Sequence, residues 1–175
     1  MTHDSQVTSE SQVTRGDVRA AFAEFATGVV LLTVKDGRDD IGATVSAFCA
    51  VSLEPPLVLA SITSASYLAE VLARRDQFAV TILAESQRML AGRFAAAGRP
   101  SARRLLDGVP HRRGSRSGAL IVDSGLAAIE CAAAQRLPAG DHLLLVAEVL
   151  SVPYVGASTA PPLIRFRSRY PQLGD

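Results

Sequence analysis

The chain has 175 residues, 48% of them hydrophobic, about one domain's length and enough apolar material for a single sizeable core. With 18 basic against 17 acidic side chains the formal charge is +1, so no long-range field exists to capture nucleic acid or an anionic membrane. No uninterrupted apolar run approaches the roughly 20 residues that cross a bilayer, and the Ser-, Thr- and Gln-rich opening lacks the apolar stretch of a secretory signal, which reads as a soluble, cytoplasmic protein.

Residues 1–16 read as a flexible tail and residues 17–175 as one domain, with no internal repeat and no change of composition. A short helix is expected over residues 17–26, preceded by Thr14 or Gly16, with Val18, Ala21, Phe22 and Phe25 on one face. Residues 28–34 read as a buried strand and residues 35–40, which include the sole lysine, Lys35, as a hairpin turn. Residues 41–53 are extended; so long a run with small residues in it implies a bend or bulge around residues 48–50, before Pro55-Pro56 stops it. A strand over residues 57–62 leads into the hydroxyl-rich Thr63-Ser64-Ala65-Ser66. A short helix comes next, with Leu68, Val71 and Leu72 on one side and Arg74-Arg75 near its end, where cations suit the helix dipole.

Residues 78–83 read as a strand, and Ser86 as the cap of a helix that runs to Ala97 and closes at Gly98. Residues 99–117 are polar and irregular. Residues 119–122, 127–137, 142–152 and 163–167 read as strands, with a hairpin at 138–141. The expected fold is mainly β: an antiparallel barrel with peripheral helices rather than βαβ units. Gly-x-Gly-x-x-Gly is missing from the sequence, so a nucleotide must be held without a Rossmann crevice. Cys49 and Cys131 are far apart, each in an apolar segment, and read as buried free thiols.

In residues 42–52, period two puts Thr44 and Ser46 on one face and Ala43, Val45 and Ala47 on the other, with Ser52 rejoining the hydroxyls if no bulge intervenes. Short hydroxyls beside small residues make a shelf where a flat ring can lie with its carbonyls hydrogen-bonded; the alternative is an ordinary half-exposed strand. The stretch 63–66 lies between a strand end and a helix start. Free N–H groups, the positive helix end and hydroxyls there make a phosphate site, unless Ser64 or Ser66 simply caps the helix. The two clusters together suit a ligand with a polar ring and a phosphate, as in a flavin mononucleotide. His142, at the mouth of a strand in Gly140-Asp141-His142, either decorates a turn or reaches a pocket to bind nicotinamide or protonate reduced flavin.

Arg165, Arg167 and Arg169 alternate with Ile164, Phe166 and Ser168, which aligns three guanidiniums toward a phosphate, a dimer edge or solvent. Metal-ligand spacings, Gly-x-Ser-x-Gly and the P-loop are missing from the sequence, so no metal site is expected. Few acids and bases are placed for catalysis, which agrees with chemistry supplied by a cofactor.

Several segments stand in a familiar order: Phe25-Ala26-Thr27-Gly28-Val29-Val30, Gly42-Ala43-Thr44-Val45-Ser46-Ala47-Phe48, Ser52-Leu53-Glu54-Pro55-Pro56-Leu57-Val58-Leu59, Phe78-Ala79-Val80-Thr81-Ile82-Leu83, Leu90-Ala91-Gly92-Arg93-Phe94, Gly140-Asp141-His142 and Pro162-Leu163-Ile164-Arg165-Phe166-Arg167-Ser168-Arg169-Tyr170. Together, over residues 18–170, they resemble the flavin reductase family with the FMN-binding split-barrel fold, whose members supply reduced flavin to two-component monooxygenases. Arg165 and Ser168 stand where that family often has Tyr and Gly, and residues 118–125 fit its pattern loosely.

The resemblance implies a Greek-key antiparallel split barrel, a homodimer with flavin near the subunit interface, FMN or FAD as flavin, and NADH or NADPH as donor. It implies Thr44, Val45, Ser46 and Ala47 along the isoalloxazine and ribityl chain, with Ser52 nearby, and Ser61, Thr63, Ser64 and Ser66 at the ribityl and phosphate. Phe94 would lie beside the flavin tail, and Asp141 and His142 at the nicotinamide, with His142 the catalytic group. Arg169 and Tyr170 would reach the flavin from their own or the other subunit. The expected activity is hydride transfer from reduced nicotinamide to flavin, with delivery of reduced flavin to a monooxygenase component. Two rival readings are a flavin carrier or sensor without reductase activity, and a split-barrel oxidoreductase that acts on an organic substrate with tightly held flavin.

Overall fold

The computed structural model describes residues 13–37, 39–156 and 159–172; the expected tail lies outside them up to residue 12. Helix α1 (Arg15–Ala23) starts earlier than expected because Thr14 and Asp17 form a capping box, each side chain accepting from the other's backbone N–H at 3.2 Å. None of its residues is buried, and Phe22 is 75% exposed, so its apolar face does not join the core.

After β1 (Thr27–Gly28), strands β2 (Val30–Asp36) and β3 (Asp39–Val45) pair as a hairpin. Strands β4 (Phe48–Leu53) and β5 (Pro56–Thr63) form a second one. Helix α2 (Tyr67–Arg74) leads into strand β6 (Gln77–Ile82). Next come a 3-10 turn (Glu85–Gln87), helix α3 (Arg88–Ala95), helix α4 (Ala102–Leu105) and strands β7 (His111–Arg113) and β8 (Leu120–Val122). Two long strands, β9 (Ala127–Ala139) and β10 (His142–Val155), and the short β11 (Ile164–Arg165) complete the order.

Seven strands form one antiparallel sheet in the order β3-β2-β6-β9-β10-β5-β4. Its two edges, β3 and β4, are consecutive in the chain and joined by Ser46-Ala47. The sheet therefore curls so that its two edges come together at this corner, where the Ser61 N–H donates to the Ala47 carbonyl at 2.9 Å and extends the β4–β5 ladder by one rung.

Strand β2 shows how the core is divided. Val30, Leu32 and Val34 point into the curled sheet, where they meet Val58, Ile62, Phe78, Leu145 and the predicted face of α2, Leu68, Val71 and Leu72. The alternate residue Leu31 points outward, under Leu83, Phe94, Leu106, Val122 and Leu163. Both faces are covered, so β2 reads as an apolar run broken only by the buried Thr33, and each fully buried apolar side chain in it contributes roughly 1.5–3 kcal/mol.

Several sequence expectations change. The break in residues 41–53 falls at Ser46-Ala47, before the expected place, and a separate bulge lies between Ala50 and Ser52. Ser86 is no helix cap; Gln87 accepts the Ala84 N–H through its side chain at 2.9 Å, and α3 begins only at Arg88. The loop of residues 99–117 contains α4 and β7. The last predicted strand shrinks to β11, because Arg167 and Ser168 adopt φ of 47° and 60° and reverse the chain, with Phe166 bridging Arg169. That reversal separates the three arginines expected on one face. Cys49 is exposed on edge strand β4, contrary to expectation, whereas Cys131 is buried and its thiol is pushed up to about 12, first by burial and then by the charge of Glu130.

Two buried carboxylates fasten the outer segments. Asp40, 1% exposed, accepts from Arg103 at 2.6 Å and from Arg113 at 2.8 Å, tying α4 and β7 to β3. Burial by itself would raise its pKa, but the hydrogen bonds and charges of the two guanidiniums hold it below the usual range. Glu130 is fully buried and accepts from the Arg116 and Ser117 N–H groups and from the Ser117 and Ser151 hydroxyls, at 2.7–2.9 Å. It too is held low, these donors outweighing the effect of burial.

Candidate functional site

A cleft of about 380 Å³ opens where the β3–β4 corner, the end of β5, the mouth of β10 and helix α3 meet. Thr44, Val45, Ser46 and Ala47 form one wall and Ser61, Thr63 and Ser66 another; Phe94, Tyr170 and His142 complete the set that sequence reasoning placed there. Val29, Ile62 and Leu68 supply an apolar floor. Thr44 and Ser46 sit where β3 leaves the ladder, and both faces of this corner border the cleft because the backbone bends at Ser46-Ala47.

The floor depends on a glycine. A Cβ at Gly42 would lie 2.8 Å from Cε1 of Phe94, so only hydrogen at this position lets the ring seat against β3. Phe94 is 1% exposed yet borders the cleft, which makes it a fixed apolar surface.

Other predicted residues lie elsewhere. Ser52 comes after the bulge and pairs with Leu57, toward the far end of the β4–β5 hairpin, and does not line the cleft. At the helix entrance, the Ser64 N–H donates to the Asp141 carbonyl at 2.9 Å, the Ser66 N–H to the Thr63 carbonyl at 3.0 Å, and the Ser66 Oγ accepts from the Ala69 N–H at 3.2 Å. The amides of Ser64 and Ser66 and the Ser66 hydroxyl are therefore already engaged in turn and cap. Ser64 itself is exposed outside the cleft, as is Arg169 beyond the reversal at Arg167-Ser168.

His142 stands opposite Thr63 in the β5–β10 ladder and opposite Ala139 in the β9–β10 hairpin, whose turn places Gly140 at φ +58°. Its Nδ1 lies 2.7 Å from Asp141 Oδ1 and its Nε2 3.4 Å from Thr63 Oγ1. The carboxylate accepts from Nδ1–H, which orients the ring and leaves Nε2 facing the cleft wall. The hydrogen bond from His142 holds the Asp141 carboxyl below its ordinary range. Asp141 does not border the cleft and acts on it through His142.

Two arginines complete the lining. Arg165, paired with Thr27 across β1 and β11, borders the cleft alone of the three alternating arginines, while Arg167 turns away to Glu24 at 2.6 Å. Arg99 is the charged lining residue that sequence reasoning misses, as it does the apolar floor of Val29, Ile62 and Leu68. Its Nε donates to the Gly42 carbonyl at 2.8 Å and a terminal nitrogen to the Ala96 carbonyl at 3.2 Å, but no carboxylate pairs with it among the described residues. Burial lowers its pKa, the signature of a cation without a counter-charge. Only its position just after Gly98, the glycine expected to close the helix that in the structure ends at Ala95, marks it in the sequence.

These residues fit a flavin. An apolar floor suits a flat tricycle, hydroxyls and corner amides suit its carbonyls and ribityl oxygens, and an unneutralised guanidinium suits a phosphate. The family described as flavin reductase like domain matches residues 22–174. An NADH-dependent FMN reductase, AsuE2, of Streptomyces nodosus subsp. asukaensis is 33% identical over 164 residues, covering 92% of this chain and 86% of the relative. The actinorhodin polyketide dimerase of Streptomyces coelicolor is 39% identical over 139 residues, covering 79% and 76%. Among solved structures, the Streptomyces globisporus NADH:FAD oxidoreductase SgcE6 with NAD and FAD fragments superposes with a TM-score of 0.82 at 30% identity, covering 91% of this chain and 93% of that one.

Proposed function

The chain belongs to the flavin reductase-like domain family, and from that premise we propose that it reduces FMN or FAD with NADH or NADPH and delivers the reduced flavin to a monooxygenase component. The observation that carries this is the single cleft in which the Thr44–Ala47 corner, the Phe94 floor, the uncompensated Arg99 and the Asp141-oriented His142 converge.

A bound flavin would accept hydride from a nicotinamide stacked on it. In this reading Thr44, Ser46 and Ser61 hold the ring and ribityl oxygens, Arg99 meets the phosphate, and Phe94 and Leu68 keep water from the buried side. Thr63 and Asp141 fix the His142 ring so that it positions the nicotinamide, and holding donor and acceptor atoms roughly 3–3.5 Å apart accounts for most of the rate.

The protein acts as a homodimer in this reading. Phe22 and Phe25, each 75% exposed, line an apolar groove of about 700 Å³ together with Phe48 and Cys49 of edge strand β4. That groove shares Ser46, Ala47 and Arg165 with the flavin cleft, so a second copy seated there would complete its rim.

The deciding assay offers purified protein each flavin with each nicotinamide and monitors loss of reduced-nicotinamide absorbance. Flavin-dependent oxidation is expected; failure of both FMN and FAD to associate in any redox state would overturn the reading. A second reading, an oxidoreductase that acts on an organic substrate with retained flavin, is favoured by the 39% identity to a polyketide dimerase. Retention of flavin through dialysis, with little oxidation of nicotinamide in the absence of an organic substrate, would select it.

A further inference from the structure

A second cleft of about 700 Å³ lies beyond the first, and the two share Ser66 and Arg99. We propose that this cleft receives the adenosine half of FAD, with the diphosphate at Arg99, so that FAD is the preferred flavin. The proposal rests on the first cleft being the flavin site and deepens that reading.

Arg99 lies on the boundary between the clefts, held by two carbonyls and neutralised by no acid among the described residues. The next cation along the second cleft is Arg104. Its neighbour Arg103 is spent on Asp40 at 2.6 Å, and Arg113 binds the same carboxylate at 2.8 Å. The Arg104 guanidinium, by contrast, is exposed and has no acid partner among the described residues.

Two unpaired guanidiniums in succession match a diphosphate that carries a second nucleoside better than they match one terminal phosphate. The remaining lining suits that nucleoside. Tyr67, 53% exposed at the start of α2, offers a ring face for a base, and Asp39 an acceptor for ribose hydroxyls or an exocyclic amine. A mononucleotide would end at Arg99 and leave this cleft to solvent. The adenylate of NADH is the competing occupant, and the test separates the two.

Dissociation constants for FAD and FMN are measured by calorimetry with the oxidised flavins, on wild type and on Arg104→Glu and Tyr67→Ala, both surface changes. Wild type should bind FAD at least about tenfold more tightly than FMN, a difference of about 1.4 kcal/mol. Arg104→Glu should remove most of that ratio while FMN affinity stays within about twofold, and Tyr67→Ala should reduce it. Equal affinity for the two flavins in wild type would overturn the proposal and leave the flavin site standing. A change in NADH affinity with the FAD/FMN ratio unmoved would give the cleft to the donor instead. Absence of binding by both flavins would bring down the flavin reading itself.

Discussion

Gly42→Ala probes the contact that gives the cleft its floor. The added methyl would meet Phe94 Cε1 at 2.8 Å, Cδ1 at 3.1 Å and Thr33 Cγ2 at 3.3 Å. Carbon atoms pack at about 3.5–4.0 Å, so the ring must retreat by roughly 1 Å. Thr33 cannot yield, being 1% exposed with its hydroxyl donating to the Leu120 carbonyl at 2.5 Å. Phe94 is enclosed by core on its other sides, which leaves the cleft as the direction of least resistance.

Overpacking of this kind costs about 1–3 kcal/mol. At about 2–4 °C per kcal/mol for a chain of this size, the midpoint of thermal unfolding should fall by roughly 2–12 °C. Flavin affinity should fall about tenfold as the ring takes space from the ligand. Phe94→Leu added to Gly42→Ala should relieve the clash, with a favourable coupling of at least about 1 kcal/mol in a double-mutant cycle. A melting temperature indistinguishable from that of wild type, or a coupling near zero, would refute the claim that Gly42 seats the ring.

Asp40→Asn should cost about 2–3 kcal/mol in denaturant unfolding, below the roughly 3–5 kcal/mol for a wholly buried pair because Arg103 and Arg113 reach solvent. Asp40 and Glu130 both titrate below their ordinary values in the fold, so their stabilisation is complete above about pH 4–5 and is lost as pH falls through the lowered folded values. Acid unfolding curves should show this loss, and Asp40→Asn should flatten it. Glu130→Ala should cost about 3–5 kcal/mol by stranding buried N–H groups and opening a cavity. Glu130→Gln should cost only about 1–2 kcal/mol, because the Ser115 and Ser151 hydroxyls can turn to accept; equal losses for the two variants would contradict this account. His142→Ala should raise the KM for reduced nicotinamide or lower kcat about tenfold while flavin affinity holds within about twofold; a parallel loss of flavin binding would remove its assigned role. Phe22→Asp puts a charge into the apolar groove and should yield monomers by light scattering, and an unchanged dimer mass would place the interface elsewhere.

The alternation of apolar residues and the local residue types were enough to read the β-rich architecture, the α2 face of Leu68, Val71 and Leu72, and the hydroxyls at Thr44, Ser46 and Thr63, because period and residue type are local properties of the chain; Ser61 was named only through the family resemblance. Where the chain leaves regular structure, locality fails. The bend at Ser46-Ala47 is set by closure of the sheet between its first and last strands, and the reversal at Arg167-Ser168 by packing against α1, where Arg167 N–H donates to the Ala23 carbonyl at 3.0 Å. Neither leaves a periodic signal, and so the alignment expected of Arg165, Arg167 and Arg169 dissolved. Ser52 lost its place to a one-residue bulge, which switches every later side chain to the other face.

Arg99 illustrates the same limit from the other side. In the sequence it is one of many arginines in a polar loop, and its importance arises only because the segment after α3 brings it over Gly42, where it binds carbonyls and pairs with no acid among the described residues. Chemistry that depends on residue type is written along the chain. Chemistry that depends on a missing counter-charge exists only once folding has decided which groups are neighbours.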